Sequence, residues 1–157
     1  MKEFKIGVLT ISDRSSAGTR SDASGPKIIE FLKNHNYHVT FYEIVPDEIN
    51  LISEKLIFLS DELNIPLVFT TGGTGFTPRD VTPEATKLII QKEAPGIANF
   101  IRQKSIAITP HAMLSRGIAG IRNTTLIINL PGSPKAAFES VEFILDNSNG
   151  DSGEELI

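Results

Sequence analysis

Residues 66 to 84 place a loop almost free of side chains, an arginine, a carboxylate and a proline-started helix close together. The apolar run Pro66-Leu67-Val68-Phe69-Thr70-Thr71 ends in Gly72-Gly73-Thr74-Gly75, and Phe76-Thr77-Pro78-Arg79-Asp80 follows directly. Three glycines in four positions let backbone N–H groups turn outward and approach an anion closely, which suits a phosphate. Asp80 would repel a bare phosphate, but it makes sense beside such a loop if a divalent cation bridges the two. The glycines also carry a plainer reading, because a tight strand-to-helix turn needs glycine with no ligand at all. The stretch is not a dinucleotide fingerprint: Pro78 stands where G-x-G-x-x-G needs its third glycine, and no G-x-x-x-x-G-K-[ST] occurs in the chain.

The elements that must position these residues follow from hydrophobic spacing. Residues 4 to 11 (FKIGVLTI) form a mostly apolar, β-rich run suited to a strand buried on both faces. Residues 12 to 18 read as a polar loop. A helix starts around Asp22 to Pro26 and turns Ile28, Ile29 and Leu32 inward. Residues 37 to 45 alternate as a second strand. A helix begins at Pro46-Asp47-Glu48, with Ile49, Ile52, Leu56 and Leu59 to Leu63 marking its buried face. The third strand is 67 to 71, and the next helix starts near Thr82, with that threonine as N-cap and Pro83 at N1. Another helix from Pro95 carries Ile97, Phe100 and Ile101 inward. Residues 109 to 116 read as a short helical turn, and 117 to 121 with 124 to 130 as a hairpin across Arg122-Asn123. The closing helix spans 135 to 145.

Strands alternating with helices predict an α/β fold: a single three-layer domain with a mostly parallel central sheet, helices on both faces and an antiparallel edge. That domain is expected over residues 1 to 146, with 147 to 157 as a frayed C-terminal tail. The main strands end in polar clusters at Ser12-Asp13-Arg14, Pro46-Asp47, residues 72 to 80 and Pro131-Gly132-Ser133. Ligands of open α/β sheets bind outside these carboxyl ends, so four loops point at one crevice.

At 157 residues, one domain can bury roughly two-thirds of its unfolded surface. The net charge of −4 and pI near 5.4 argue against nucleic acid or an anionic membrane as partner, since both draw on clustered Lys and Arg. No apolar stretch is long enough to span a bilayer. The N-terminus enters a strand pattern without a signal peptide, and cysteine is absent. A cytoplasmic location is therefore predicted, without disulfides or thiolate metal sites.

Five segments together resemble the MogA/MoaB family of molybdenum cofactor biosynthesis, in particular its molybdopterin adenylyltransferase branch and gephyrin-type G domains. They are ISDR at 11 to 14, VPD at 45 to 47, TTGGTGFTPRDVTPEAT at 70 to 86, TPHAMLSRGIAGIR at 109 to 122 and TLIINLPGSPKA at 125 to 136. The resemblance implies an enzyme that uses ATP and Mg2+ to adenylylate the terminal phosphate of molybdopterin with release of pyrophosphate. It also implies a homotrimer and hand-off of the product to a molybdate-inserting enzyme. By this resemblance Asp47 and Asp80 are the catalytic and metal-binding aspartates, and Gly72, Gly73, Thr74 and Gly75 with Asp80 bind the nucleotide. Ser12, Asp13, Ser115, Arg116, Pro131, Gly132 and Ser133 are implied on the molybdopterin side.

Each assignment has a structural counterpart. Asp47 stands where a helix accepts an aspartate N-cap, and Ser115 could bond to local backbone. Arg79, Arg116 and Arg122 could be solvated or interface charges, and His35 and His38 read as surface residues. A MoaB-like paralogue that binds pterin or nucleotide without adenylylation, or a scaffold module, is the rival reading; PRDVTPEAT favours the enzyme. The chain departs from some relatives after the closing helix, ending in DNSNGDSGEELI.

Overall fold

The period-2 pattern of three strands decides the layering. A computed structural model describes residues 4–145. Its elements are β1 (Lys5–Ile11), α1 (Asp13–Ser16), α2 (Ser24–Asn34), β2 (His38–Val45), α3 (Ile49–Ile57), β3 (Leu67–Thr71), α4 (Thr82–Ile89), β4 (Lys92–Glu93), α5 (Pro95–Ile108), β5 (Ala119–Arg122), β6 (Thr125–Leu130) and α6 (Pro134–Leu145). A π-helical turn, Phe58–Glu62, prolongs α3, and a 3-10 turn, Pro110–Leu114, follows α5.

The strands form one six-stranded sheet in the order β2-β1-β3-β6-β5-β4. β1 pairs in parallel with β2 and β3, and β3 with β6; β5 runs antiparallel to both β6 and β4. The expected parallel sheet with an antiparallel edge is present. On one face Ile6 and Val8 of β1, Leu67 and Phe69 of β3, and Leu126 and Ile128 of β6 pack with α2, α5 and α6. On the other face Leu9, Ile11, Val68 and Ile127 pack with α3 and α4. Successive side chains of a strand point to opposite faces, so each central strand feeds both cores and must be apolar throughout.

Several local expectations are corrected. Residues 13 to 16 form the single turn of α1 within what read as loop. Lys92–Glu93 adds a two-residue edge strand, too short and polar for a periodicity reading to find. The hairpin begins at Ala119, and Arg122 pairs with Thr125, so Asn123-Thr124 form the turn, with Asn123 at φ 51°. Asparagine tolerates that left-handed conformation better than most residues. Leu63 and Phe100 are exposed rather than inward: Leu63 ends the π-helical turn after α3, and Ile101 takes the core-facing position on α5. The expected tail over 147–157 lies outside the described residues.

Candidate functional site

The β1 and β2 loops lock each other. Asp47 Oδ2 accepts the Asp13 N–H at 2.8 Å, and Asp13 Oδ1 accepts the Asp47 N–H at 3.0 Å. The Arg79 guanidinium then forks onto Asp13, with Nε and Nη2 both at 2.9 Å. The N-cap reading of Asp47 therefore fails: Glu48 holds the cap position of α3 and makes no side-chain cap bond, while the Asp47 carboxylate turns to the start of α1. Ser12 caps that turn, accepting the Ser15 N–H at 3.2 Å.

The two aspartates have opposite electrostatics. The Arg79 hydrogen bonds hold the Asp13 carboxyl below the usual carboxylate range. Burial pushes Asp47 up, helped by the charges of Asp13 and Asp80 and only partly countered by the Asp13 N–H and Arg79. A buried carboxylate with its charge disfavoured is one that a cation would stabilise.

The glycine turn lies beside Asp47. Gly72 has φ 104° and Gly73 φ 70°. A Cβ on Gly72 would overlap the Ile11 carbonyl, and one on Gly73 would overlap the Thr82 hydroxyl and stand 3.1 Å from Asp47 Oδ1. Only glycine fits both the backbone and the space. The Gly72 N–H is not available to a ligand, because it donates to Leu130 O at 3.2 Å. The N–H groups of Gly73, Thr74 and Gly75 make no hydrogen bond among the described residues. Thr82 does not cap α4 as expected. It is the first helical residue; its hydroxyl donates to Gly72 O at 2.9 Å and its N–H to Gly73 O at 3.1 Å, so it anchors the turn instead.

Asp80 has a local role that sequence reading did not find. Its Oδ2 accepts the Thr77 N–H at 3.0 Å and the Thr77 hydroxyl at 2.8 Å, closing the turn over residues 77–80. Both bonds use the same oxygen.

Arg116 is turned onto the glycine loop and away from the crevice. Its Nε donates to Gly75 O at 2.8 Å and Nη2 to Asp80 O at 2.9 Å. Nη1 pairs with Glu84 Oε2 at 2.7 Å, and its backbone N–H reaches Thr74 O at 2.9 Å. With its donors spent on the loop and Glu84, Arg116 clamps the cradle and does not line it. Arg122 is likewise committed, to Asp61 and the Ile89 carbonyl. Ser133 Oγ accepts the Ala136 N–H at 3.4 Å, acting as a cap of α6 while bordering the crevice. His35 Nδ1 donates to Phe31 O at 2.9 Å.

The crevice has two lobes sharing Gly73, Asp80, Gly132 and Ser133 as a wall. One, of about 480 Å³, runs beneath α5 and includes Ser115, Pro131 and the apolar Ala98, Ile101 and Leu114. The other, of about 350 Å³, is polar; Ser12, Arg20, Asp22 and Asp47 line it. Asp13 and Arg116 border neither lobe and act through the loops they hold. Asp22 was missed by sequence reading: it accepts the Ser24 and Gly25 N–H groups at the start of α2 and hydroxyl bonds from Thr10 and Tyr42. Burial, then the bond to Asp22, pushes the Tyr42 phenol up to about 12. An aspartate two residues before Ser24-Gly25 is a capping signal, but nothing local shows that it faces a cavity.

Among the described residues, no group of three or more His, Asp or Glu side chains could hold a metal alone. Asp47 and Asp80 flanking unpartnered amides do fit a Mg2+ that arrives with phosphates, since that ion uses one or two carboxylates and completes its shell with phosphate oxygens and water.

A doubly covered sheet with unpartnered amides between two carboxylates at its carboxyl edge defines an α/β domain whose crevice has groups suited to phosphorylated ligands. The chain belongs to the family described as "Probable molybdopterin binding domain", which matches residues 7–148. It is 49% identical over 146 residues to a molybdopterin adenylyltransferase of Helicobacter pylori (strain J99), covering 92% of this chain and 83% of that one. Gephyrin of Dictyostelium discoideum is 48% identical over 154 residues, covering 92% of this chain. This chain spans only 21% of gephyrin's length. The crystal structure of the molybdopterin biosynthesis enzyme MoaB from Thermus thermophilus superposes with a TM-score of 0.85 at 46% identity, covering 90% of this chain and 89% of that one. No helix among the described residues is long and apolar enough to cross a membrane.

Proposed function

We propose that this protein is a molybdopterin adenylyltransferase of molybdenum cofactor biosynthesis, transferring AMP from ATP to the terminal phosphate of molybdopterin. An oxygen of that phosphate attacks the α-phosphorus of ATP; a new P–O bond forms as the bond to pyrophosphate breaks, and pyrophosphate leaves with the electron pair. No covalent nucleophile is required, so the site's work is to align and neutralise phosphates. The observation that carries this reading is the set of unpartnered amides at Gly73, Thr74 and Gly75, standing between Asp47 and Asp80 where the lobes meet.

In this reading Gly72 shapes the turn, the next three amides and Asp80 receive the nucleotide phosphates, and Asp47 faces the reacting phosphate. Mg2+ bound with the nucleotide would neutralise charge between these groups. Ser12, Ser115, Pro131, Gly132 and Ser133 border the bound molybdopterin, while Asp13 and Arg116 position the loops. The protein works in the cytoplasm as a homotrimer and passes its product to a molybdate-inserting enzyme. Exposed Phe76, Leu88 and Met113 supply apolar surface that such an assembly could bury.

Incubation with molybdopterin, ATP and magnesium tests the reaction. Pyrophosphate release that stops on chelation is expected. Release unaffected by chelation would remove the metal role of Asp47 and Asp80, and no release would leave a pterin- or nucleotide-binding paralogue. Light scattering at micromolar concentration should report three chains; a monomer would refute the assembly.

A further inference from the structure

The fold prepares a place for Arg20 and gives its guanidinium nothing to bind. Arg20 borders the polar lobe, whose lining among the described residues holds no other Lys or Arg and includes the carboxylates of Asp22, Asp47 and Asp80. Its side chain makes no hydrogen bond or ion pair among the described residues. The other arginines near the crevice are spent: Arg79 on Asp13, Arg102 on the Ser115 and Gly117 carbonyls, and Arg116 on Glu84 and the glycine loop.

The backbone on either side of Arg20 is fastened. Gly18 turns the chain at φ 78°, and the Thr19 N–H and hydroxyl both donate to Arg14 O, at 3.0 and 3.2 Å. Past Arg20, Asp22 holds the start of α2, and Ser24 Oγ donates to Gly132 O at 2.6 Å, on the wall that the two lobes share. Asp22 is the nearest carboxylate in the chain to Arg20, but its lone pairs are taken. Oδ1 accepts the Ser24 and Gly25 N–H groups and Oδ2 the Thr10 and Tyr42 hydroxyls, which fills the roughly four acceptor sites of a carboxylate. The chain thus carries an exposed arginine to the rim of an acidic lobe and denies it the closest counter-charge.

We infer that Arg20 binds the pyrophosphate end of the nucleotide and holds it as it leaves. This rests on the adenylyltransferase reading of the crevice. A guanidinium is charged at any working pH, and its planar fork matches two oxygens of a phosphate. As the bond to the α-phosphorus breaks, the bridging oxygen takes the electron pair and negative charge gathers on the pyrophosphate. A cation without internal partners meets that charge without first giving up an ion pair. In-line displacement puts the leaving group on the side of the phosphorus away from the attacking oxygen, and a rim residue suits a product that must return to water. The terminal phosphate of molybdopterin carries the same dianion chemistry and is the competing source.

Calorimetric titration with magnesium pyrophosphate, ATP and AMP tests the inference, with melting temperature measured on the same samples. Arg20→Gln should lower the affinity for pyrophosphate and ATP about tenfold, the scale of a lost charge-assisted hydrogen bond, and leave that for AMP within about twofold. Arg20→Lys, which keeps the charge without the fork, should fall between wild type and Arg20→Gln. Salt should weaken pyrophosphate binding less in Arg20→Gln than in wild type, because one phosphate-facing charge is gone. Melting should not change, since the side chain has no partner to lose in the free protein. Unchanged pyrophosphate affinity, an equal loss for AMP, or no saturable pyrophosphate binding by wild type would each overturn the inference. So would a loss confined to the KM of molybdopterin, or a fall in melting that tracks the loss of affinity. Turnover assays separate the two readings: no adenylylation with pyrophosphate binding that still depends on Arg20 removes the reaction alone, whereas turnover with Arg20→Gln binding pyrophosphate normally removes this inference alone.

Discussion

The two lobes of the crevice share one wall but are built on different principles. Beneath α5 the wall is largely apolar, with committed polar groups such as Asn129 and Arg102 and an unpaired hydroxyl at Ser105. Beside α2 the lining is hydroxyls and carboxylates that bond mainly to one another and to loop backbone. The first arrangement suits a flat heterocycle that brings its own hydrogen-bonding edge. The second suits charge, which needs rigid, pre-aimed groups more than apolar area. The amides of Gly73, Thr74 and Gly75 stand where the two meet.

Removing charge from the polar side should give the largest effect. Asp47→Asn is expected to slow adenylylation about a hundredfold or more, the scale of one deleted electrostatic transition-state contact. The amide oxygen can still accept the Asp13 N–H, so melting at neutral pH should not fall. Pyrophosphate release beside calorimetry checks this, and near-normal turnover would reduce Asp47 to a loop fastener.

Gly73→Ala should come next, because it damages the shared wall. A left-handed alanine costs about 1–2 kcal/mol, and its Cβ displaces the Thr82 hydroxyl that anchors the turn. ATP affinity should drop, because the amides of this turn are those proposed to receive the nucleotide phosphates. Unchanged ATP affinity would remove the turn from nucleotide binding.

Asn129→Ala probes the apolar side without touching the phosphates. It removes the acceptor of the Ile118 N–H and the amide donor to the Thr70 and Thr86 hydroxyls, of which Thr86 keeps its own bond to Thr82 O, and denaturant titration should show a loss of about 1–3 kcal/mol. A smaller loss would mean that water replaces the amide.

The smallest effect is in pH dependence, where Asp13 and Asp47 should differ in sign. Asp13 titrates below its unfolded value, so its contribution is present above the usual carboxylate range and is lost as pH falls through its depressed value. Asp47 titrates above its unfolded value; its contribution is present in acid and is lost as pH rises through that value. Melting curves from acid to neutral pH should therefore show Asp13→Asn approaching wild type in acid. Asp47→Asn should stand at or above wild type near neutrality and converge with it in acid. Identical pH profiles for the two variants would refute the opposed electrostatics.

Much of this molecule was legible in local pattern. Apolar runs at 4–11, 67–71 and 125–130 mark the central strands because each strand faces two cores, and punctuation by glycine and proline marks the loops at their ends. The resemblance carried by those loops pointed to the family. Side-chain direction was not legible, because it depends on contacts between residues far apart in the chain. Asp47 reads as a cap for the helix beside it, yet it bonds to Asp13, 34 residues away. Arg116 reads as a ligand contact, yet it grips a carbonyl 41 residues away. Ser105 sits in an ordinary amphipathic helix with no signal of its own. The sequence alone settles the alternation of strands and helices, since burial period and turn chemistry are local. Which carboxylate faces the crevice, which arginine only clamps a loop, and which helix faces close over the cavity are decided by the tertiary structure, because only packing converts residue type into direction.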